Sequence, residues 1–309
     1  MEHIRKFYIV YYKISPMISI ENQSLITKLG KLKDLPKNPL VSIIIPAYNE
    51  EKFVWQAIES LLKQTYKPIE IIIVDNASID STVKIVERYE KHGIKLIKNE
   101  KNEGYGGGCN VGFKLAKGQI LMFWDADHIY GENYVKELIG PILEGKDVCT
   151  LHNEEKIANL DNLWARAFGQ RICTKNGRGK LFSLIRRDIF LKFGPYDPIY
   201  GYADDQTLFI KHGITSLGAN TEIYHFNPDS LKVNWKHGKW VGKSYPHPCK
   251  VILILPAFPV YVLYKSFTQF IKDPYWKFIY FLPVYNTIKY FSYFFGAIDR
   301  IKGKKRIED

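Results

Sequence analysis

Two short runs constrain the fold of this chain more than anything else in it. Residues 41–46 read Val-Ser-Ile-Ile-Ile-Pro and residues 69–75 read Ile-Glu-Ile-Ile-Ile-Val-Asp. Both are β-branched at consecutive positions and too short for a buried helix. A strand with one wet face alternates apolar and polar residues, whereas a strand covered on both faces does not. Each run is followed by a stretch with helical spacing. After the first, Phe53, Val54, Ala57, Ile58, Leu61 and Leu62 fall on one helical face, with Asn49 placed to cap it. After the second, residues 80–93 read as a helix capped by Asp80 and stopped by Gly93. A third strand is expected at residues 94–99, a short helix over 106–118, and a fourth strand at Gln119–Asp125. Strands alternating with helices predict an α/β fold: a Rossmann-like, mostly parallel central sheet with helices on both faces.

In an open sheet of that kind, ligands bind beyond the carboxyl ends of the strands. The acidic residues collect there. Pro46, Ala47, Tyr48 and Glu50 follow the first strand, Asp75 and Asn76 end the second, and Asp125-Ala126-Asp127 ends the fourth. Taken alone, Asp125 and Asp127 fit an acidic turn, because Asp favours turns. They equally fit a cation site: residues i and i+2 of an extended chain share a face, and hard cations take carboxylate oxygens while bridging to phosphates. Three clusters at neighbouring strand ends favour the second reading.

Past residue 146 the pattern changes. Residues 147–152 and 180–187 read as strands separated by a helical stretch near Leu160–Gly169. Asp204 and Asp205 stand at the start of the next helix, where the helix dipole alone would favour them. His225 lies in a strand that runs into a turn. The tail is apolar and aromatic from 251 to 298 and flanked by Lys and Arg. Its first run is short of the roughly 20 residues a membrane span requires. The tail therefore reads as interfacial helices on anionic lipid in preference to membrane-spanning ones, or as a helical pair packed on the domain or on another subunit.

The whole chain is 309 residues with a formal charge of +12, which calls for an anionic partner. The positive charge gathers around the apolar tail rather than on a helix with spaced base-reading residues, so a lipid surface explains it better than nucleic acid. Four scattered cysteines without metal-ligand spacing argue against a zinc site or a disulfide framework. The N-terminus does not read as an export signal, so the expected location is membrane-associated, on the cytoplasmic face.

These residues resemble family 2 glycosyltransferases, inverting enzymes of the GT-A fold that use nucleotide sugars. The resemblance is carried by "VSIIIPAYNEEKFVWQAIESLLKQTYKPIEIIIVDNASIDST", by "NEGYGGGCNVGFKLAKGQILMFWDAD" and by "LIRRDIFLKFGPYDPIYGYADDQTLFIKHG", in register over residues 40–240. It implies an N-terminal lead-in at 1–39, a catalytic domain at 40–240 with a nucleotide-binding half at 40–130 and an acceptor half at 131–240, and a membrane-associating helical region at 241–309. It also implies site roles. Pro46, Ala47, Tyr48, Glu50, Asp75 and Asn76 would hold base and ribose, joined by Gly104, Asn110, Asp125 and Ala126. Asp127, with Asp125 and His225, would hold Mg²⁺ or Mn²⁺; a strand-end histidine bonded to backbone is the plainer reading of His225. Asp205 would be the catalytic base with Asp204 before it, and the two roles are open to reversal.

Glycines 104, 106, 107 and 108 would let backbone approach the donor. Family members that polymerise carry Gln-x-x-Arg-Trp where this chain has Lys236 to Trp240, "KHGKW", so transfer of one sugar is expected. Relatives often place Arg where Cys109 stands, so Arg178, Lys236, Lys239 and Trp240 are candidates for the diphosphate or acceptor side. A nucleotide sugar, UDP-linked by preference with GDP and dTDP open, and a lipid-linked or glycan acceptor are the implied partners. Two other classes compete. An oxidoreductase would carry G-x-G-x-x-G after the first strand, where "PAYNE" stands instead. A non-catalytic membrane scaffold would have no reason to keep Asp75, Asp125, Asp127 and Asp205.

Overall fold

A computed structural model of the chain describes residues 32–244 and 258–303. Most of the expected lead-in, residues 1–31, lies outside the described residues, as do 245–257 and 304–309. The elements run β1 (Val41–Ala47), α1 (Val54–Leu62), β2 (Ile69–Asp75), α2 (Thr82–Glu87), β3 (Lys95–Lys98), α3 (Gly104–Leu115) and β4 (Ile120–Phe123). After these come β5 (His128–Tyr130), α4 (Tyr134–Leu143), β6 (Cys149–His152), β7 (Glu154–Ile157), α5 (Leu163–Phe168), β8 (Arg171–Ile172), β9 (Thr174–Lys175) and β10 (Arg178–Gly179). The chain continues with β11 (Leu184–Arg186), α6 (Arg187–Phe193), a 3₁₀ segment (Pro198–Gln206), α7 (Thr207–His212), β12 (Ser216–Ala219), β13 (Ile223–His225), α8 (Leu231–Ser244), α9 (Phe258–Lys272) and α10 (Phe278–Ile301).

The main sheet has the order β3-β2-β1-β4-β11-β6-β12-β10-β9. Its first four strands are parallel, as the two-faced apolar runs predict, and β11 is antiparallel to both neighbours. Alternate residues of β1 feed two separate cores. Ile43 and Ile45 pack with Val54, Ile58 and Leu61 of α1 and with Val135 and Leu138 of α4. Ile44 packs on the other face with Val74, Cys109, Leu121 and Phe123. Helix α3 approaches β1 closely because Gly112 has no side chain: a Cβ there would run into Ile44. The Asp80 carboxylate accepts the N–H of Thr82 at 2.9 Å and caps α2. Asn49 does not cap α1. It sits at φ 58° and its side-chain oxygen accepts from Ile79 N–H at 2.9 Å, tying two loops together.

In-register pairing of β1 with β2, Val41 with Ile69 through Ala47 with Asp75, brings both strand ends to one edge of the sheet. β4 ends beside them, Ile44 opposite Phe123, and delivers Asp125 and Asp127 to the same edge. A second, smaller sheet of order β5-β13-β7-β8 stands over that edge.

The C-terminal part is a helical hairpin, α9 and α10, joined to the domain. α8 runs through the boundary expected at 240. Its Gly238 and Gly242 lie against Ser292 and Tyr293 of α10, closer than any residue with a side chain would allow. Arg166 of α5 pairs with Asp273 through two hydrogen bonds of 2.6 and 2.7 Å and stacks over Tyr275. Among the described residues, no helix is long and apolar enough to cross a membrane. The hairpin leaves Leu263, Phe267, Ile271, Ile279, Tyr280 and Val284 exposed.

Candidate active site

A cavity of about 800 Å³ opens at the carboxyl edge of the parallel strands, within the size range of small-molecule sites. Pro46, Ala47, Tyr48 and Glu50 line it from β1, and Asn76 and Gly104 from the adjoining loops. Asp125, Ala126 and Asp127 line it from the end of β4, Asp204 and Asp205 from the 3₁₀ segment, His225 from β13, and Lys236 and Trp240 from α8. The sequence candidates from four distant stretches thus meet in one place.

Other candidates hold the scaffold. Asp75 is buried and accepts Ser78 N–H at 3.1 Å; its second oxygen has no protein partner. Asn110 makes a reciprocal pair with the backbone of Tyr196, at 2.8 and 3.0 Å, and so ties α3 to the loop that leads to the aspartate pair. Arg178 points away from the cavity, donating to Asp147 at 2.7 Å and to Thr215. Lys239 pairs with Asp299 on α10 at 3.0 Å. Neither Arg178 nor Lys239 lines the cavity. No element was assigned to either residue from the sequence; Arg178 stands on a two-residue strand and Lys239 on α8, and which way each side chain faces depends on the partner element. The glycines need the same correction. Only Gly104 lines the cavity. Gly106 and Gly108 are packing positions, where an added Cβ would lie 2.9 Å from Asp204 Oδ2 and 2.8 Å from the Asn76 amide. Asn76 itself spends both ends of its amide inside the protein, on Gly104 O at 3.0 Å and Asn99 at 2.8 Å.

The two members of the acidic pair differ. Asp204 accepts the N–H of Gly106 at 2.7 Å, so it pins the start of α3. Burial pushes its carboxyl up to about 7. Asp205 Oδ1 is buried with no hydrogen-bond partner. Burial, then the neighbouring Asp204 charge, push its carboxyl up to about 8, against the pull of Arg171. A carboxyl held near neutrality with a free oxygen is the profile of a general base.

Asp127 lies in a nest of histidines. Its Oδ1 meets His128 Nδ1 at 2.8 Å and its Oδ2 meets His225 Nε2 at 3.1 Å. Burial would raise this carboxyl, but His225 and His128 override it and hold it well below the usual range. Asp125, 3.7 Å from His128, is instead raised by its burial. Strand register explains the nest. β13 pairs antiparallel with β5 so that His225 stands opposite His128, and their rings stack 4.5 Å apart. β7 pairs with β8 so that Glu155 stands opposite Arg171. Glu155 is buried, and burial alone would raise its carboxyl; Arg171, His128 and His152 bring it well below the usual range. His128, Glu155 and Arg171 all border the cavity, and sequence reasoning missed all three. His128 had a local signal, since it follows Asp127 directly. Glu155 and Arg171 had none.

Asp127, His128 and His225 each offer a ligand atom within 4.8 Å of the others. Carboxylate oxygen with imidazole nitrogen is a donor set that suits a divalent first-row cation, Mn²⁺ more than Mg²⁺.

A family model described as "Glycosyl transferase family 2" matches residues 42–196. An uncharacterized glycosyltransferase of Rickettsia prowazekii (strain Madrid E) is 34% identical over 188 residues, 56% of this chain and 58% of that protein. The UDP-Glc:alpha-D-GlcNAc-diphosphoundecaprenol beta-1,3-glucosyltransferase WfaP of Escherichia coli is 46% identical over 88 residues, 28% of this chain and 35% of that protein. The chain spans about half the length of the first curated relatives it matches. Among solved structures, the mannosyltransferase PcManGT from Pyrobaculum calidifontis, in complex with GDP-Man and Mn²⁺, superposes with a TM-score of 0.53 at 16% identity, covering 90% of this chain and 93% of that one. TarS of S. aureus in complex with UDP gives 0.51 at 18% identity, covering 85% and 92%. At such identities the likeness shows the fold, which is GT-A.

Proposed function

The chain belongs to glycosyl transferase family 2, and on that premise we propose that it moves one sugar from a nucleoside-diphosphate sugar to a hydroxyl of a lipid-linked acceptor, with inversion at the anomeric carbon. The observation that carries this reading is the convergence of Asp125, Asp127, Asp204 and Asp205 in one cavity, with a buried, unpartnered oxygen on Asp205. Asp205 takes the acceptor hydroxyl proton as that oxygen bonds to the anomeric carbon and the bond to the diphosphate breaks. Asp204 holds α3, and through it the donor-side wall, in place. An acceptor phosphate would arrive already ionised and leave Asp205 without a task, so the buried base favours a hydroxyl.

Asp127 and His225 would hold a divalent cation, with Asp125 beside them. When bound, such a cation neutralises the departing diphosphate as a Lewis acid. Tyr48 and the loop after β1 form the nucleotide end, with the buried Asp75 supporting the adjoining loop. Uridine is the preferred base, in keeping with the UDP-Glc donor for which WfaP and WfgD of Escherichia coli are named; the latter is 37% identical over 137 residues. The same names give a diphosphoundecaprenol-linked sugar as acceptor, which supports a lipid-linked one here. "KHGKW" on α8 in place of Gln-x-x-Arg-Trp supports single transfer. The exposed apolar face of α9 and α10, with Lys265, Lys272 and Lys277 at its borders, supports attachment to the cytoplasmic surface of a membrane. On this reading residues 40–130 are the donor half, 131–240 the acceptor half and 241–309 the membrane-associating part.

Calorimetric titration with UDP, GDP and dTDP, with and without Mn²⁺, tests the donor site. Metal-dependent binding of one nucleotide that is lost in Asp127→Ala is the expected result. Failure of a folded sample to bind any of the three, with lipid present, would refute the reading.

A further inference from the structure

Two carboxylates face each other across a pair of histidine rings. On one side is Asp127, hydrogen-bonded to His128 Nδ1 and His225 Nε2. On the other is Glu155, whose Oε2 lies 3.7 Å from His128 Nε2 and 3.9 Å from His225 Nδ1. These last three atoms are buried and have no hydrogen-bond partner in the protein, so the far nitrogens of both rings and one glutamate oxygen are each other's nearest polar neighbours. Glu155 is itself held from behind. Its Oε1 meets His152 Nε2 at 3.0 Å, Cys173 Sγ at 3.4 Å and Arg171 at 3.5 Å. The His152 ring is fixed in turn by the Tyr134 hydroxyl at 2.7 Å. Strand pairing sets all of this: His225 opposite His128, and Glu155 opposite Arg171.

Resting on the cation reading above, we propose that Glu155 is the positioning residue of the cation site, acting through both histidines. An imidazole that turns a lone pair toward a cation must carry its proton on the other nitrogen, and a carboxylate at that nitrogen fixes both tautomer and ring orientation. Glu155 supplies that carboxylate to two rings at once. With a cation at Asp127, the ring protons sit on His225 Nδ1 and His128 Nε2, facing Glu155, and the near nitrogens are free to face the cation. Arg171 and His152 hold the other oxygen of Glu155 and stop the side chain from swinging into the site. Arg171 also makes the group formed by His152, Glu155 and Cys173 a poor cation site of its own, because its guanidinium shares the same oxygen.

The test is Mn²⁺ affinity, read from free Mn²⁺ by electron paramagnetic resonance with UDP present. Glu155→Gln keeps the size and loses the charge, and should weaken Mn²⁺ by about 10- to 100-fold while metal-free UDP binding is unchanged. Glu155→Asp should recover part of the loss. A folded Glu155→Gln with wild-type Mn²⁺ affinity overturns the proposal. A metal that survives Asp127→Ala and is lost in Cys173→Ser also overturns it, since Glu155 would then be a ligand of a separate ion. Wild-type protein that binds UDP but no Mn²⁺ would refute the cation reading itself, a different failure. A measurement on the wild-type chain does not depend on any variant folding: long-range ¹H–¹⁵N spectra with Mg²⁺ and UDP should show His225 protonated at Nδ1. Protonation at Nε2 instead would refute the proposal.

Discussion

The two aspartates of the acidic pair should respond oppositely to the same substitution. On the proposed mechanism, Asp205→Asn removes the group that takes the acceptor proton. General-base catalysis is worth about 10²- to 10⁴-fold, so kcat/KM should fall by that factor, a rise in the barrier of about 3–5 kcal/mol at 1.36 kcal/mol per decade. Donor binding should stay within a few-fold. Asp204→Asn keeps an oxygen that can accept the Gly106 N–H, now at 2.7 Å. It trades a charge-assisted hydrogen bond for a neutral one, which costs about 1 kcal/mol of stability and leaves transfer within about 10-fold of wild type.

The pH profile adds an independent check. A base must be ionised, so activity should rise with pH through the Asp205 value near 8, a value set first by burial and then by the Asp204 charge. Removing that charge lowers it, so in Asp204→Asn the rise should come at lower pH. Stability runs the other way. Asp205 is raised when folded and near 3.9 when unfolded, so between those values the folded state binds the extra proton. Stability therefore falls as pH climbs from about 4 to 8, and Asp205→Asn should remove that part of the decline. The assays are kcat/KM against pH, calorimetry with donor, and thermal melts at pH 5 and 8. Normal turnover by Asp205→Asn, with loss of activity in Asp204→Asn, would refute the assignment. So would a wild-type profile flat from pH 6 to 9.

Three further outcomes follow from the packing. Arg178→Met should lower stability by about 1–3 kcal/mol, because it takes a charged partner from the buried Asp147 carboxylate, which Arg178 meets at 2.7 Å; donor binding by calorimetry should not change, and a loss there would return Arg178 to the site. Gly112→Ala should cost about 1–3 kcal/mol by overpacking α3 against Ile44, seen as a lower midpoint in denaturant. Phe267→Glu on the exposed face of α9 should cut binding to anionic vesicles by at least about tenfold, since burying one Phe is worth about 1.5–3 kcal/mol. Its melting temperature should be unchanged, and vesicle binding equal to wild type would remove that face from the membrane contact.

The donor half was legible because its signals are local. Runs such as 41–46 and 69–75 are apolar on both faces, and only a parallel sheet buried under helices satisfies that. Pro46, Asp75 and Asp125 mark where those strands stop, so the edge that holds the site could be read off the chain. Asp80 caps its helix for the same reason: it acts on the N–H two residues away. The glycine-rich stretch was legible as a helix and misread in purpose. Its glycines serve contacts with Asp204 and Asn76, which lie 98 and 32 positions from Gly106 and Gly108, and no local pattern records that.

What the sequence alone determined is the parallel strands and helices of the donor half, the ends of those strands and the aspartates they carry, since each depends on residues within a few positions of one another. What only the tertiary structure decided is which side chains face the cavity. Arg178 and Arg171 stand on two-residue strands close together in the chain but in different sheets. One turns to Asp147, and the other to Glu155 and the cavity, according to which strand lies alongside. Asp127 acquires two histidines because β5 and β13, almost a hundred residues apart, pair with His128 opposite His225. In a sheet a shift of one residue turns every side chain to the other face, so register, which depends on distant partners, settled the chemistry that composition and periodicity left open.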